Sequence, residues 1–517
     1  MNKKMCSVKF TRLYGAIALV VICGMYLHAQ ASNTGAQTIT GTTSLTSQTI
    51  TASTADESGI LVKSGSVATI TNCTITTTSI SSNNDSSSFY GKDAGILVES
   101  GGKIASLTGT KVTCSGTGAN GVFAYGTGTI VMSNDTINCT GQYGHGIMCS
   151  GGGTITVTDC YAKTTKGNSG CIATDRGSGT ITVTGGYYEA AGNDAPGIYS
   201  TGNITVTGAT VKGSASEAVV IEGLNKTILN NVTLSGGVST YGGVLVVQSG
   251  SGDASNGTAT FTMTGGSFTV TSGPMFFVTH TEGALTLKNV TASITSGILI
   301  KAAATSRWGT QDGTNGGHVN FTVDSQTLVG NVLVDSISYD TMTLKNSSFL
   351  TGHIDSANKA KSVVLTMDAT SKWIVTADSH IGKMVDAGIS GTTASNITGN
   401  NHNVYYDSSL STSLVGKTYS LTSGGCLLPE GKTCSVTGVM ENDQARAISS
   451  ASLLSLMTAT GHVVFSPLYS GKTKIVCLYN LVGKQLSVKT FKKNEVNVRA
   501  DFGVSDEIYI VKIIGIN

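Results

Sequence analysis

NGVFAYGTGTIVMSNDTINCTG (120–141), HGIMCSGGGTITVTDCYAKTTKG (145–167), CIATDRGSGTITVTGGYYEAAG (171–192) and PGIYSTGNITVTGATVKG (196–213) are four copies of one pattern. Each opens on a small residue and an aliphatic one: Gly121-Val122, Gly146-Ile147, Cys171-Ile172 and Gly197-Ile198. A glycine-rich corner follows, then an alternating run such as Thr180-Ile181-Thr182-Val183-Thr184. The anchors are spaced by 25, 25 and 26 residues. A period in that range, made of short alternating strands and turn residues, specifies a solenoid. Strand alternation sends Ile155, Val157, Ile181, Val183, Ile204 and Val206 inward, with the anchors Ile147, Ile172 and Ile198, and leaves the threonines outside.

Composition agrees. Only 12% of the 517 residues are charged, against about 25% in an ordinary soluble domain. The wealth of Thr, Val and Ile suits pleated, half-buried surfaces and argues against disorder. A formal charge of +2 provides no electrostatic reason for a nucleic-acid partner. At the N-terminus, Lys3, Lys4, Lys9 and Arg12 precede an apolar run from Tyr14 to Leu27 and the small-x-small pattern Ala29-Gln30-Ala31. Residues 1–31 therefore read as a secretory signal peptide, and no later segment reads as a membrane helix.

Ser32 to Ala55 reads as a Thr/Ser-rich lead-in or cap. Earlier turns are anchored at Gly59-Ile60 and Gly95-Ile96, 36 residues apart, and the excess is assigned to a polar loop at 81–88. After Gly213 the pattern weakens but persists to about Asp378. The expected domains are a signal peptide (1–31), a parallel β-helix (32–387), a short β segment with a linker (388–460) and a C-terminal β-sandwich (461–517). The fold class is all-β.

The repeated G-[IV]-x-x-x-x-G-G-x-[IV]-T-[IV]-T units resemble right-handed parallel β-helices of the pectin-lyase-like kind. GANGVFAYGTGT, EAVVIEG, RWGTQDGTNGG and QTLVGNVLVDSIS resemble, more narrowly, a family of secreted bacterial β-helix proteins described as adhesin-like. That resemblance implies fold more than function, because β-helices host lyases, hydrolases and adhesins alike. The stretch Leu478–Lys484, Val-Asn-Val at 496–498 and the closing Ile-Tyr-Ile-Val-Lys-Ile are similar to the C-terminal sorting domain of type IX secretion. Ser466-Pro467 stands where that family commonly has Asn-Pro. The similarity implies export and sorting machinery as partners and an outer-surface or secreted location.

The candidate chemistry is sparse. Gly144-His145-Gly146 matches a tripeptide of β-helical polygalacturonases, but the paired aspartates those enzymes use to activate water and protonate the leaving oxygen are missing nearby. Asp175-Arg176 is the best pairing of a base with a cation for uronate chemistry. It occurs in a column with Lys63, Glu99, Tyr125, Ser150 and Thr201, and reads equally as a corner pair. Glu217 and Glu222 flank Val219-Val220-Ile221 and read as the edge of a rung. No carboxylate cluster suggests calcium, no Cys/His spacing suggests zinc, and no cofactor is expected. Tyr125, Tyr143, Tyr187, Tyr188 and Trp308 are candidates for stacking on a sugar ring or for covering the rod. Cys73, Cys114, Cys139, Cys149, Cys160 and Cys171 read as buried thiols, whereas Cys426 and Cys434 flank the turn Pro429-Glu430-Gly431 and are expected to pair. The reading is an adhesin-like binder of glycans or host surfaces. The alternatives are a polysaccharide lyase or glycoside hydrolase, and a structural spacer.

Overall fold

A computed structural model describes residues 33–307 and 316–434, together with strands at 456–457, 462–464, 473–479, 485–491, 497–499 and 510–516. The chain divides into two compact units after Val436. The first is a parallel β-solenoid of about 16 turns. A typical turn has three strands, as in Ile147–Ser150, Gly153–Thr158 and Tyr161–Thr164. Its successor Ile172–Thr174, Gly179–Thr184 and Tyr187–Ala190 stacks on it in register, with Ile147 on Ile172, Ile155 on Ile181 and Tyr161 on Tyr187. The first strands of the turns build a parallel sheet of 12 strands, from Thr34–Ile39 to Asn331–Val334. Every inward residue expected from the alternation is fully buried: Ile147, Ile155, Val157, Ile172, Ile181, Val183, Ile198, Ile204 and Val206.

Two local devices turn the chain. An anchor glycine such as Gly121 has no room for a side chain, since a Cβ there would collide with the Gly146 carbonyl and the Ile137 side chain, whereas the equivalent Cys171 is accommodated as a buried thiol. Between the second and third strands, one residue takes the left-handed conformation, as in Asn72, Asn134, Asp159 and Asn231 (φ 49 to 55°). Asn and Asp tolerate that region better than other residues with a Cβ. The next position forms a ladder along the rod. Gln48 N–H donates to Cys73 Sγ (3.4 Å), Cys73 N–H to Thr110 Oγ1 (3.3 Å), Thr110 N–H to Asp135 Oδ1 (2.8 Å) and Asp135 N–H to Cys160 Sγ (3.4 Å). Cys73 and Cys160 therefore serve as acceptors for turn amides as well as small apolar groups. All six repeat cysteines are free and buried.

The lead-in, the polar insert and the far end each take a more definite form than the sequence reading gave them. Thr34–Ile39, Thr42–Thr46 and Thr49–Ala52 form a complete first turn, paired with the next at Ile39↔Val62, Leu45↔Ile70 and Ile50↔Ile75, so the lead-in is part of the solenoid. The polar insert contains a short helix α1, Asn84–Tyr90, where a loop was expected. Asn83 caps it by accepting from the Asp85 N–H (2.8 Å), and Gly91 ends it in a left-handed conformation (φ 74°). At the far end, parallel pairing continues beyond 387: Thr393–Thr398 pairs with Lys372–Val375, and Val404–Tyr406 pairs with Cys426–Pro429. The motif is unreadable there because hairpins at Ile389–Ser390 and Tyr419–Thr422 interrupt its spacing.

The Cys426–Cys434 disulfide is present, with a Cα–Cα distance of 5.6 Å. Closing a loop this short stabilises by about 2–3 kcal/mol on the chain-entropy account. In the second unit, the described strands make two three-stranded antiparallel sheets, consistent with a small C-terminal β-sandwich. The signal segment 1–31 and most of the 435–460 linker lie outside the described residues. No helix among the described residues is long and apolar enough to cross a membrane.

Candidate functional site

The first-strand sheet differs from the others in being apolar on both faces. Its outward column runs Leu61, Leu97, Phe123, Met148, Ala173, Tyr199, Val220, Leu245 and Phe277, in register from turn to turn. Strands buried on both faces need a cover. Inserted segments provide it. Helix α1 and its flanks lie over the earlier turns, where Ser150 Oγ donates to the Phe89 carbonyl (2.6 Å) and Gly91 sits against the Phe123 ring. Tyr241 and Ala303 pack on Leu245 and Phe277 farther along. Tyr199 contacts both apolar clusters.

A cleft of about 210 Å³ lies beside Tyr199. Its apolar lining is Val220, Leu245 and Val247, and its polar lining includes His145, Asp194, Glu217, Glu222 and Arg307. Glu222 leaves the end of the strand Val219–Glu222 with an exposure of 5%, and Glu217 stands at the corner before it with 4%. Tyr199 donates its hydroxyl to Glu222 Oε1 (2.8 Å), and Ser249 Oγ donates to Oε2 (2.6 Å). Burial nevertheless raises the Glu222 pKa. Ser216 Oγ donates to Glu217 Oε2 (2.5 Å). Arg307 spans to Asp194 Oδ1 (2.9 Å) and lies over the Tyr241 ring.

His145 belongs to this wall. Its Nδ1 lies 3.1 Å from Asn120 Oδ1, and the Asn120 amide is oriented by donating its Nδ2 to the Ser87 carbonyl (3.1 Å). Oδ1 is thus an acceptor, Nδ1 carries the proton, and Nε2 presents a lone pair. Burial lowers the His145 pKa to about 4, so the ring is neutral near pH 7.

Asp175 and Arg176 are close to the cleft but are not the free base and cation a lyase needs. Arg176 donates from Nε (3.0 Å) and Nη2 (2.8 Å) to Asp253 Oδ1 and stacks over Phe89 at 3.8 Å. Asp175 accepts from the Arg176 backbone N–H (2.7 Å), yet burial first, then Asp253 and Glu222, push its pKa up to about 7. The carboxylates that do gather here, Asp175, Glu222 and Asp253, come from two turns and an insert. Continuous apolarity of the first strands was the sequence signal that one face is covered; nothing local marked Glu217 and Glu222 as its polar lining.

The tyrosines expected to bind do not converge. Tyr188 is fully buried in the solenoid core with its hydroxyl unpaired, which removes it as a ligand contact. It points inward because it occupies the slot of Ala162 and Val211. Tyr187 stacks on Tyr161 on another row (5.6 Å, 10° between planes), and Tyr125 meets Tyr90 edge-on (5.5 Å). Tyr143 is half-buried in a turn, with φ of 60°. Trp308 lies outside the described residues. Among the described residues, no group of three or more His, Cys, Asp or Glu is placed to hold a metal ion.

Fold and site together define a parallel β-solenoid with a loop-walled acidic cleft on its first-strand sheet. No protein-family model matches the chain, and neither a curated protein nor a solved structure matches it.

Proposed function

We propose that this chain is an exported surface or secreted solenoid that binds a glycan in the cleft beside Tyr199. The supporting observation is the burial of Glu217 and Glu222 beside an apolar floor. Tyr199, Ser249 and Ser216 hold these carboxylates in place by hydrogen bonds, so the cleft presents fixed acceptors beside apolar surface. An aromatic ring beside hydrogen-bonding carboxylates is the usual makeup of a saccharide site. Glycan-array binding of the full chain should fall at least about tenfold in Glu222→Gln with Tyr199→Phe, because both the charge and its hydrogen bond are lost. Undiminished binding in that double variant would exclude the cleft.

A hydrolytic reading has one observation in its favour. Asp175, half-protonated near neutrality, stands two turns from Glu222, roughly 10 Å by ladder spacing. That is slightly beyond the separation of about 6.5–9.5 Å between acid and base in inverting glycosidases. Asp175 does not line the cleft either, so binding is the reading preferred. Release of reducing ends from a bound glycan, abolished in Asp175→Asn, would reverse that preference.

Export rests on the basic-apolar N-terminus and on the resemblance of 461–517 to a sorting domain. Deleting 461–517 should leave the solenoid folded and retained inside the outer membrane, as read by cell fractionation. Appearance of the truncated chain at the surface or in the medium would show that this unit is not an export address.

A further inference from the structure

The buried polar groups of the cleft share one hydrogen-bonding sense. Glu217 and Glu222 are acceptors, and His145 offers only the Nε2 lone pair once Nδ1 is committed to Asn120. The Tyr199 proton is committed to Glu222, and Arg307 is committed to Asp194. The exposed Asn168 amide at the rim is the exception. Charge follows the same direction, with the carboxylates of Asp194, Glu217 and Glu222 set against the single guanidinium of Arg307.

Two of these acceptors have no partner. His145 Nε2 and Glu217 Oε1 make no hydrogen bond with any described residue, although both side chains are more than nine-tenths buried and line the cleft. Both atoms open onto the cleft and are not sealed in the core, so their partner must be solvent or a ligand that enters it. A group that brings several N–H donors and a positive charge would satisfy both at once.

We infer that the cleft receives the ammonium group of an amine-bearing sugar, with the amine held between Glu217, Glu222 and His145 Nε2 and the ring against Val220, Leu245 and Tyr199. This rests on the glycan-binding reading above and specifies its ligand class. An ammonium has three donors and no acceptor, which matches an acceptor-only site. An N-acetylated sugar replaces that charge with a neutral amide, and a uronic acid brings a carboxylate against three others.

The test is calorimetric titration of the full chain with glucosamine oligomers, N-acetylglucosamine oligomers and galacturonate oligomers of equal length, at a slightly acidic pH that keeps the amine charged. The amine form should bind at least about tenfold more tightly than the acetylated form, and the preference should shrink as salt is raised. Glu217→Gln should abolish the preference. The salt series on the unaltered chain is a readout independent of whether that variant folds. Equal binding of amine and acetylated forms, or a salt-independent preference, would overturn the inference and leave the glycan reading intact. A preference unchanged in Glu217→Gln would likewise overturn it. Binding to none of the three, with capture only of a lysine-rich peptide, would overturn both.

Discussion

Ile181→Asp should open the middle of the solenoid. Ile181 is fully buried, in register with Ile155 below and Ile204 above, and its side chain points into the stack formed with Val157 and Val183. The substitution removes a packed aliphatic side chain and introduces a carboxylate without a partner. Truncation of a buried Ile alone costs about 2–5 kcal/mol, and an uncompensated buried charge adds several more. In the core each turn stacks only on its two neighbours, so damage should spread outward from the substituted rung. Hydrogen exchange should therefore rise over Gly153–Thr158, Gly179–Thr184 and Asn203–Thr207 while His318–Asp324 stays protected. Thr182→Asp, one position along and exposed, should be nearly neutral. Equal damage at 181 and 182 would contradict the inward assignment.

The second large effect concerns Asp340, on the strand Tyr339–Lys345. Its carboxyl points into the core between Val319 and Val363, and neither oxygen has a hydrogen-bond partner. Burial pushes its pKa from 3.8 up to about 8. With the folded pKa above the unfolded one, the two states bind the proton equally below about pH 4. Between about pH 4 and pH 8 the unfolded chain ionises while the folded chain retains the proton, so stability falls as pH rises. Above the folded value the loss is complete, on the order of 5 kcal/mol. Asp340→Val, matching its neighbours, should raise the melting temperature at pH 8 far more than at pH 4. Asp93, Asp135 and Asp175 are raised by burial in the same sense, and Glu189 and Asp368, held near 2, act oppositely at low pH. The difference between wild type and variant isolates the contribution of Asp340. A variant whose advantage is the same at both pH values would show that the carboxyl does not carry this linkage.

How far the sequence alone reaches can be seen at particular residues. Alternation in Thr180–Thr184 decides which side chains face inward, because a strand has a period of two and the buried face must be apolar. The anchor spacing then decides the stacking, and the Cys426–Cys434 pairing followed from two cysteines flanking a turn. At both ends the motif failed. Thr34–Ile39 lacks the glycine anchor yet pairs with the next turn, and hairpins break the spacing after Ile381.

The cleft was beyond sequence reading for a different reason. His145, Tyr199, Glu217, Glu222 and Arg307 lie on different turns or on an insert, so their proximity depends on register summed over several rungs and on where the inserts fold back. Glu222 read alone is a charged strand end. Only stacking sets Tyr199 beneath it, brings Ser249 to its second oxygen and leaves it buried beside Leu245. Local sequence thus determined the rung, since its pattern is set by nearest-neighbour burial; the tertiary structure decided the site, since its charges are assembled by residues that are neighbours only across turns.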